Sequence, residues 1–92
     1  MKYVYVPKKQ PVSFVKFTEE MIGSYVWMGG ISTGTVMCET YIDEWGDTRV
    51  DVIWDNDISM RPRSEFAREL RIKQPGKNPL IKSMLVYYNM FA

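Results

Sequence analysis

Ninety-two residues, 46% hydrophobic and 25% charged, are enough for one domain with a limited core and too apolar for wholesale disorder. The chain has no histidine and a single cysteine, Cys38, which removes the commonest general base, any His-containing triad, an intrachain disulfide and a His/Cys ligand set for structural zinc. The net charge of +1 is segregated: residues 1–17 carry four lysines and no acid, residues 18–60 carry nine acids against Arg49, and residues 61–92 carry seven bases against Glu65 and Glu69.

In chain order, Lys2 to Val6 alternates aromatic and aliphatic residues and predicts a strand, ended by Pro7-Lys8-Lys9-Gln10-Pro11. Residues 1–6 are too short and polar for the apolar core of a signal peptide, and no run reaches the roughly 18 apolar residues of a membrane span. With a lone thiol in an inward position, the expected location is the cytoplasm, and no membrane partner is expected. Val12 to Phe17 is a second strand candidate, so residues 1–17 form an N-terminal strand extension. Thr18 to Gly23 reads as one turn of helix stopped by glycine. In the strand Ser24 to Met28, Val26 and Met28 take the core, while Tyr25 and Trp27 share the outward face.

Gly34 to Trp54 organises the rest and reads as one β-hairpin. Val36, Cys38, Thr40 and Ile42 alternate with Thr35, Met37, Glu39 and Tyr41, and Val50, Val52 and Trp54 alternate with Arg49, Asp51 and Ile53. Asp43-Glu44-Trp45-Gly46-Asp47 is the turn. Facing Ile42 with Thr48 sets Glu39 against Asp51; sliding the pairing by two residues sets Glu39 against Arg49, which electrostatics favours. Asp55-Asn56-Asp57 is a turn without the glycine and bidentate glutamate of a calcium loop, and Ile58-Ser59-Met60 reads as a short strand. No Gly-Lys-Ser/Thr follows Gly29, Gly30 or Gly34, so no phosphate loop is present. No cofactor is expected.

Ser64 predicts the N-cap of a short helix, with Glu65 near its positive end and Phe66 and Leu70 on one buried side, stopped by Gln74-Pro75-Gly76-Lys77. Asn78-Pro79 then opens a C-terminal helix whose Leu80, Ile81, Met84, Leu85, Tyr87, Tyr88 and Phe91 occupy most of its circumference. Such a helix either closes the open end of the fold or buries Leu80, Met84, Tyr88 and Phe91 in a second copy or another protein. A strand at Met84 to Met90, pairing with Lys2 to Val6, is the alternative.

Gly23-Ser-Tyr-Val26, Gly34-Thr-Val36, Gly46, Val50-Asp-Val-Ile-Trp54-Asp55-Asn56, Ser59 and Arg61-Pro62, ahead of a helical turn ending at Leu70, resemble the Src-homology-3-like class of small barrels, including KOW, Tudor and mind-bomb-type domains. The likeness covers about half the chain, and Asp57 stands where a glycine usually follows Asp-Asn. It implies a mainly β fold, a small five-stranded barrel over residues 18–74 with a short helical turn; residues 1–17 and 75–92 fall outside the likeness, and the C-terminal helix read over residues 75–92 belongs to the same domain. Strands of this pattern also occur in bacteriophage accessory proteins, which would put the chain in a host cytoplasm.

The expected function is binding rather than catalysis. Tyr25, Trp27, Tyr41 and Trp45 are the aromatic candidates for a protein partner, with the acidic middle of the chain steering them to a basic surface, as in a modulator or inhibitor of a host protein. The alternative is nucleic-acid binding, with Arg61, Arg63, Arg68, Arg71 and Lys73 on phosphates and aromatics stacking on bases. Homo-oligomerisation through the C-terminal helix is compatible with either.

Overall fold

The computed structural model describes residues 16–29 and 32–91. They form six strands, β1 (Ser24–Met28), β2 (Ser32–Val36), β3 (Tyr41–Ile42), β4 (Thr48–Trp54), β5 (Arg63–Phe66) and β6 (Arg71–Lys77), one helix α1 (Ile81–Asn89), and 3-10 turns at Glu19–Met21 and Ala67–Glu69. The strands predicted at Lys2 to Val6 and over most of Val12 to Phe17 lie outside the described residues; Lys16 and Phe17, which are described, are not in a strand.

The fold is mainly β, a single antiparallel sheet centred on β4. Val52 pairs with Val36 of β2 on one side and Arg63 of β5 on the other, and Arg49 pairs likewise with Tyr41 of β3 and Phe66 of β5. β2 and β3 therefore follow one another along one edge of β4, and β5 takes the other edge. Beyond β2 come β1 and then β6. The outer strands β5 and β6 share no ladder, so the sheet is not closed; they are joined by the 3-10 turn at Ala67–Glu69.

The inner face holds the main core: Phe17, Val26, Val36, Val50, Val52, Trp54, Ala67 and Leu70 are all buried together. Val36, Val50 and Trp54 thus share one interior, as their alternation requires. Room for the Trp54 ring comes from Gly34, where an added Cβ would lie 2.6 Å from Val52 Cγ1 and 2.8 Å from Trp54 Cε3. Trp54 also places its Nε1–H on Glu65 Oε2 at 2.8 Å, which satisfies the one polar group of the ring.

Part of the outer face is buried too, although the alternation sets Met37 and Ile53 outward. Met37 and Ile53 pack with Met84 of α1, flanked by Ile81, Leu85, Tyr87 and Tyr88. The C-terminal segment is a helix, not a strand, and it lies on the outer face of the sheet instead of closing an open end, because Met37 and Ile53 supply an apolar stripe there. Asn78 fixes its approach: its Oδ1 accepts from Leu80 N–H at 2.9 Å, its Nδ2 donates to Thr35 Oγ1 at 3.0 Å, and its own N–H donates to Gly23 O at 2.8 Å.

Four local expectations are corrected. The Gly34 to Trp54 stretch is not one continuous hairpin: Val36 faces Val52, whereas Ile42 faces Thr48, so four residues on one side, Met37–Thr40, span two on the other, Val50–Asp51. Both registers weighed from sequence occur, one at each end, and the irregular stretch between them keeps Glu39 out of any pair with an acid. The helix predicted after Ser64 is strand β5 followed by a 3-10 turn. One buried face of two residues does not repay helix nucleation, while the edge of β4 offers a ladder at once. Ile58-Ser59-Met60 is a turn, held by Met60 N–H on Asp57 O at 2.9 Å and Ser59 N–H on Asp57 Oδ1 at 3.0 Å. Finally, Gln74 to Lys77 continues β6 instead of breaking the chain, since an outer strand tolerates proline and the register shifts against Ser24, Tyr25 and Val26 absorb the irregularity.

Gly34→Ala forces Val52 and Trp54 apart and is expected to destabilise the fold by about 1–3 kcal/mol, read as a lower urea midpoint at unchanged slope.

Candidate functional site

The β3–β4 tip is built around Asp43. Its Oδ1 accepts from Trp45 N–H and Asp47 N–H, both at 2.9 Å, and its Oδ2 accepts from Arg49 Nε–H at 2.9 Å. Gly46 supplies the positive φ of the turn, at 86°. Asp43 N–H on Asp47 O closes the loop at 2.9 Å. Aspartate at the start of a turn, accepting from backbone two and four residues on, is the arrangement its short carboxylate favours. The hydrogen bond from Arg49, with those from Asp47 and Trp45 and the Arg49 charge, holds the Asp43 carboxyl below its ordinary range.

This fixed tip leaves Trp45 75% exposed and Ile42 64% exposed, with Glu44 and Asp47 beside them. The indole does not fold back onto the sheet. Ile42 keeps the inner parity of Val50 and Val52 but lies opposite Thr48, beyond the end of the core. A groove of about 370 Å³ between Lys16, Thr40, Tyr41, Ile42 and Thr48 adjoins it.

Behind the tip, on the outer face, Asp51 gathers two phenols. Tyr41 Oη donates to Asp51 Oδ1 at 2.7 Å, and Tyr88 Oη of α1 donates to Oδ2 at 2.6 Å. Ser64 Oγ lies 2.8 Å from Tyr41 Oη. Burial, and after it the bond to the Asp51 carboxylate, pushes the Tyr88 phenol up; burial is also the largest cause for Tyr41, where Ser64 acts in the opposite sense to Asp51. Cys38 Sγ accepts from Asp51 N–H at 3.3 Å and packs half-buried against the main core, and burial pushes its thiol up. Next to these groups Phe66 is flanked by two guanidiniums, Arg49 at 3.9 Å and Arg68 at 4.5 Å from the ring centroid.

The four aromatic candidates fall on two separate surfaces. Trp27 lies in an outer-face row with Thr33 and Arg71, and Tyr25 sits half-buried two residues before it. Tyr41 and Trp45 belong to the opposite end of β4, and α1, seated on Ile53 and Met37, lies between the two. The basic candidates do not converge either. Arg61 lies 5.1 Å from the Phe91 ring, Arg63 Nε is 3.6 Å from Asp57 Oδ2, Arg68 is on Phe66, and Arg71 donates to the carbonyls of Arg68 and Leu70. Lys73 crosses β1 to place Nζ 3.2 Å from Thr33 Oγ1, which puts Lys73 and Arg71 on the Trp27 surface. Of the candidates for self-association, Met84 is buried against the sheet and Tyr88 is tied to Asp51, while Leu80 and Phe91 are exposed.

Sequence reasoning passed over Ile42 as a contact residue, Asp43 as the organiser of the tip, and Asp51 as the anchor of α1. The Asp43 turn was readable from its spacing to Asp47; the Tyr88–Asp51 bond, 37 residues apart in sequence, was not. Among the described residues no helix is long and apolar enough to cross a membrane. Comparison with protein-family models, with curated proteins and with solved structures finds no match to this chain.

Because the folded-state pKa of Asp43 is depressed, its contribution to stability is complete above the ordinary aspartate range and is lost as pH falls through and below about 4. Asp43→Asn is therefore expected to lower the melting temperature at pH 7 and to make progressively less difference as the pH is taken down to 3, in thermal melts followed by circular dichroism.

Proposed function

We propose that this chain is a non-enzymatic protein-binding module of the Src-homology-3-like class that presents the β3–β4 tip to a basic surface on a partner protein. The observation that carries the reading is the exposed Trp45 on a turn whose Trp45 and Asp47 N–H groups both donate to the Asp43 carboxylate, which Arg49 Nε–H holds from the other side. A large ring displayed on a rigid support loses little entropy on docking, and aromatic anchors of this kind dominate interface energetics. Glu44 and Asp47 beside it, within a segment of strongly negative balance, favour a basic counterpart and speed the encounter.

The class assignment is supported by the strand path β6-β1-β2-β4-β5, with β3 prolonging β2, and by the 3-10 turn joining β5 to β6. On this reading the five-strand path is a small barrel left open between β5 and β6. Its likeness to bacteriophage accessory proteins extends the proposal to a modulator that occupies a host protein in the host cytoplasm. Nothing in the chemistry of the tip asks for a cofactor.

Affinity capture from a host lysate tests this, with the wild-type chain, Trp45→Ala and Trp27→Ala as baits. Trp45→Ala is expected to weaken a captured interaction by roughly 30-fold or more, the scale of a hot-spot aromatic, and Trp27→Ala to leave it in place. Equal capture by wild type and Trp45→Ala rejects the tip as the binding surface.

A second reading has an observation of its own. Trp27 stands exposed with Arg71 in its row and Lys73 crossing beside it, a stacking ring next to two cations, which suits single-stranded nucleic acid. Binding to a random-sequence oligonucleotide that falls steeply with salt and is lost in Trp27→Ala would favour this surface. No binding at low salt removes it.

A further inference from the structure

We propose that two copies of this chain associate about a two-fold axis, with Ile58 of each copy seated in an apolar groove of the other. The proposal concerns a surface remote from the β3–β4 tip and does not depend on what the tip binds.

Ile58 is 99% exposed on the loop between β4 and β5. That loop is not slack. Asp57 N–H donates to Trp54 O at 3.1 Å, Met60 N–H to Asp57 O at 2.9 Å, and both Ser59 N–H and Ser59 Oγ–H donate to Asp57 Oδ1, at 3.0 and 2.6 Å. From the other side, Tyr87 Oη of α1 donates to Ser59 O at 2.7 Å. Met60 is held at a φ of 56°, a left-handed conformation that a residue with a side chain adopts only where its surroundings enforce it. The loop therefore holds an isoleucine out in water on a rigid mount.

Directly beside this knob is a socket. A groove of about 300 Å³ is lined by Ile53, Trp54, Met60, Leu80 and Met84, with Asp55, Asp57 and Asn78 completing its wall. Asp57 and Met60 bracket Ile58 in sequence, so knob and socket share one face of the molecule, yet Ile58 does not fill its own socket. Leu80, 64% exposed, and Met60 extend the apolar surface around it.

A second copy is the occupant that this arrangement fits. An isologous interface needs a patch that is its own complement, and a knob adjacent to a socket of matching chemistry meets that condition: rotation by 180° carries each Ile58 to the other copy's groove. A different partner that engaged both features would have to offer the same pair in reverse. The patch carries both signs of charge: Asp55 and Asp57 stand in the groove wall, Arg63 Nε lies 3.6 Å from Asp57 Oδ2, and Arg61 follows Met60, so two identical patches meet without a uniform like-charge penalty. Ile58, Met60 and Leu80 cover only part of the roughly 800 Å² per partner of a standard interface, which places the dimer in a weak range, dissociating at roughly 10 µM to 1 mM.

Sedimentation equilibrium on the full chain, from about 10 µM to about 1 mM, tests the proposal across that weak range. The wild-type chain is expected to shift from monomer to dimer, and Ile58→Asp and Leu80→Glu each to raise the dissociation constant by about 10-fold or more, the loss of a central anchor. Thermal melts at low concentration check folding, and because Ile58 makes almost no contact within its own chain, Ile58→Asp melts like the wild type. In a mixture of isotope-labelled and unlabelled protein, intermolecular nuclear Overhauser contacts from the Ile58 methyls to Leu80 and Met84 are expected. A wild-type chain that stays monomeric at the highest concentration, a dimer indifferent to Ile58→Asp, or Ile58 contacts to some other surface overturns the proposal.

Discussion

The central strand β4 is packed on both faces and hydrogen-bonded on both edges, and everything else in the fold answers to that constraint. Val50, Val52 and Trp54 point into the main core; Ile53 points out, into the smaller core under α1. A strand with apolar residues on both sides demands a cover for each. The curved sheet with Phe17, Ala67 and Leu70 covers one side, and α1 covers the other. Between them Asp51 is the polar break in the outer face, and its charge is met by the Tyr41 and Tyr88 hydroxyls, so the carboxylate links the sheet to the helix. Hydrogen bonds to a charged acceptor of this kind are worth more than neutral ones, on the order of 1.5–3 kcal/mol.

The same constraint explains why β2 and β3 are two strands. Val36 must face Val52 to place Gly34 against Trp54, while the turn organised by Asp43 requires Ile42 to face Thr48. Those demands differ by two residues, and the irregular stretch Met37–Thr40 takes up the difference. Within it Met37 turns into the outer core, and Thr40 donates its N–H to Phe17 O at 3.0 Å. The irregularity is thus where the chain joins its inner core, its outer core and the segment leading into β1.

What the two cores leave over defines the surfaces available for function. α1 occupies the middle of the outer face, and it separates an acidic tip with Trp45 and Ile42 from a basic row with Trp27, Arg71 and Lys73. Each of these two surfaces carries an exposed tryptophan, Trp45 on one and Trp27 on the other. The apolar loop residues Ile58 and Met60 form a third surface, held out by hydrogen bonds and not by packing.

Much of the inner core was legible in the sequence, because period-two alternation in a strand depends only on local geometry: Val26, Val36, Val50, Val52 and Trp54 all point where their parity said. The 3-10 turn before Gly23, the strand Ser24–Met28, the polar turn at Asp43–Asp47 and the existence of a C-terminal helix were equally local, set by glycines and spacing, although that helix begins at Ile81, after Asn78-Pro79. Tertiary structure alone decided the rest. Phe66 and Leu70 match a helix only until an open β4 edge offers hydrogen bonds to Arg63–Phe66, and Pro75 breaks a strand only where that strand needs every N–H. The seat of α1 depends on Met37 and Ile53 being neighbours on the outer face, and the separation of Trp27 from Trp45 depends on where that helix lies. Such outcomes turn on contacts between residues far apart in the chain, and a pattern read along the chain carries no record of them.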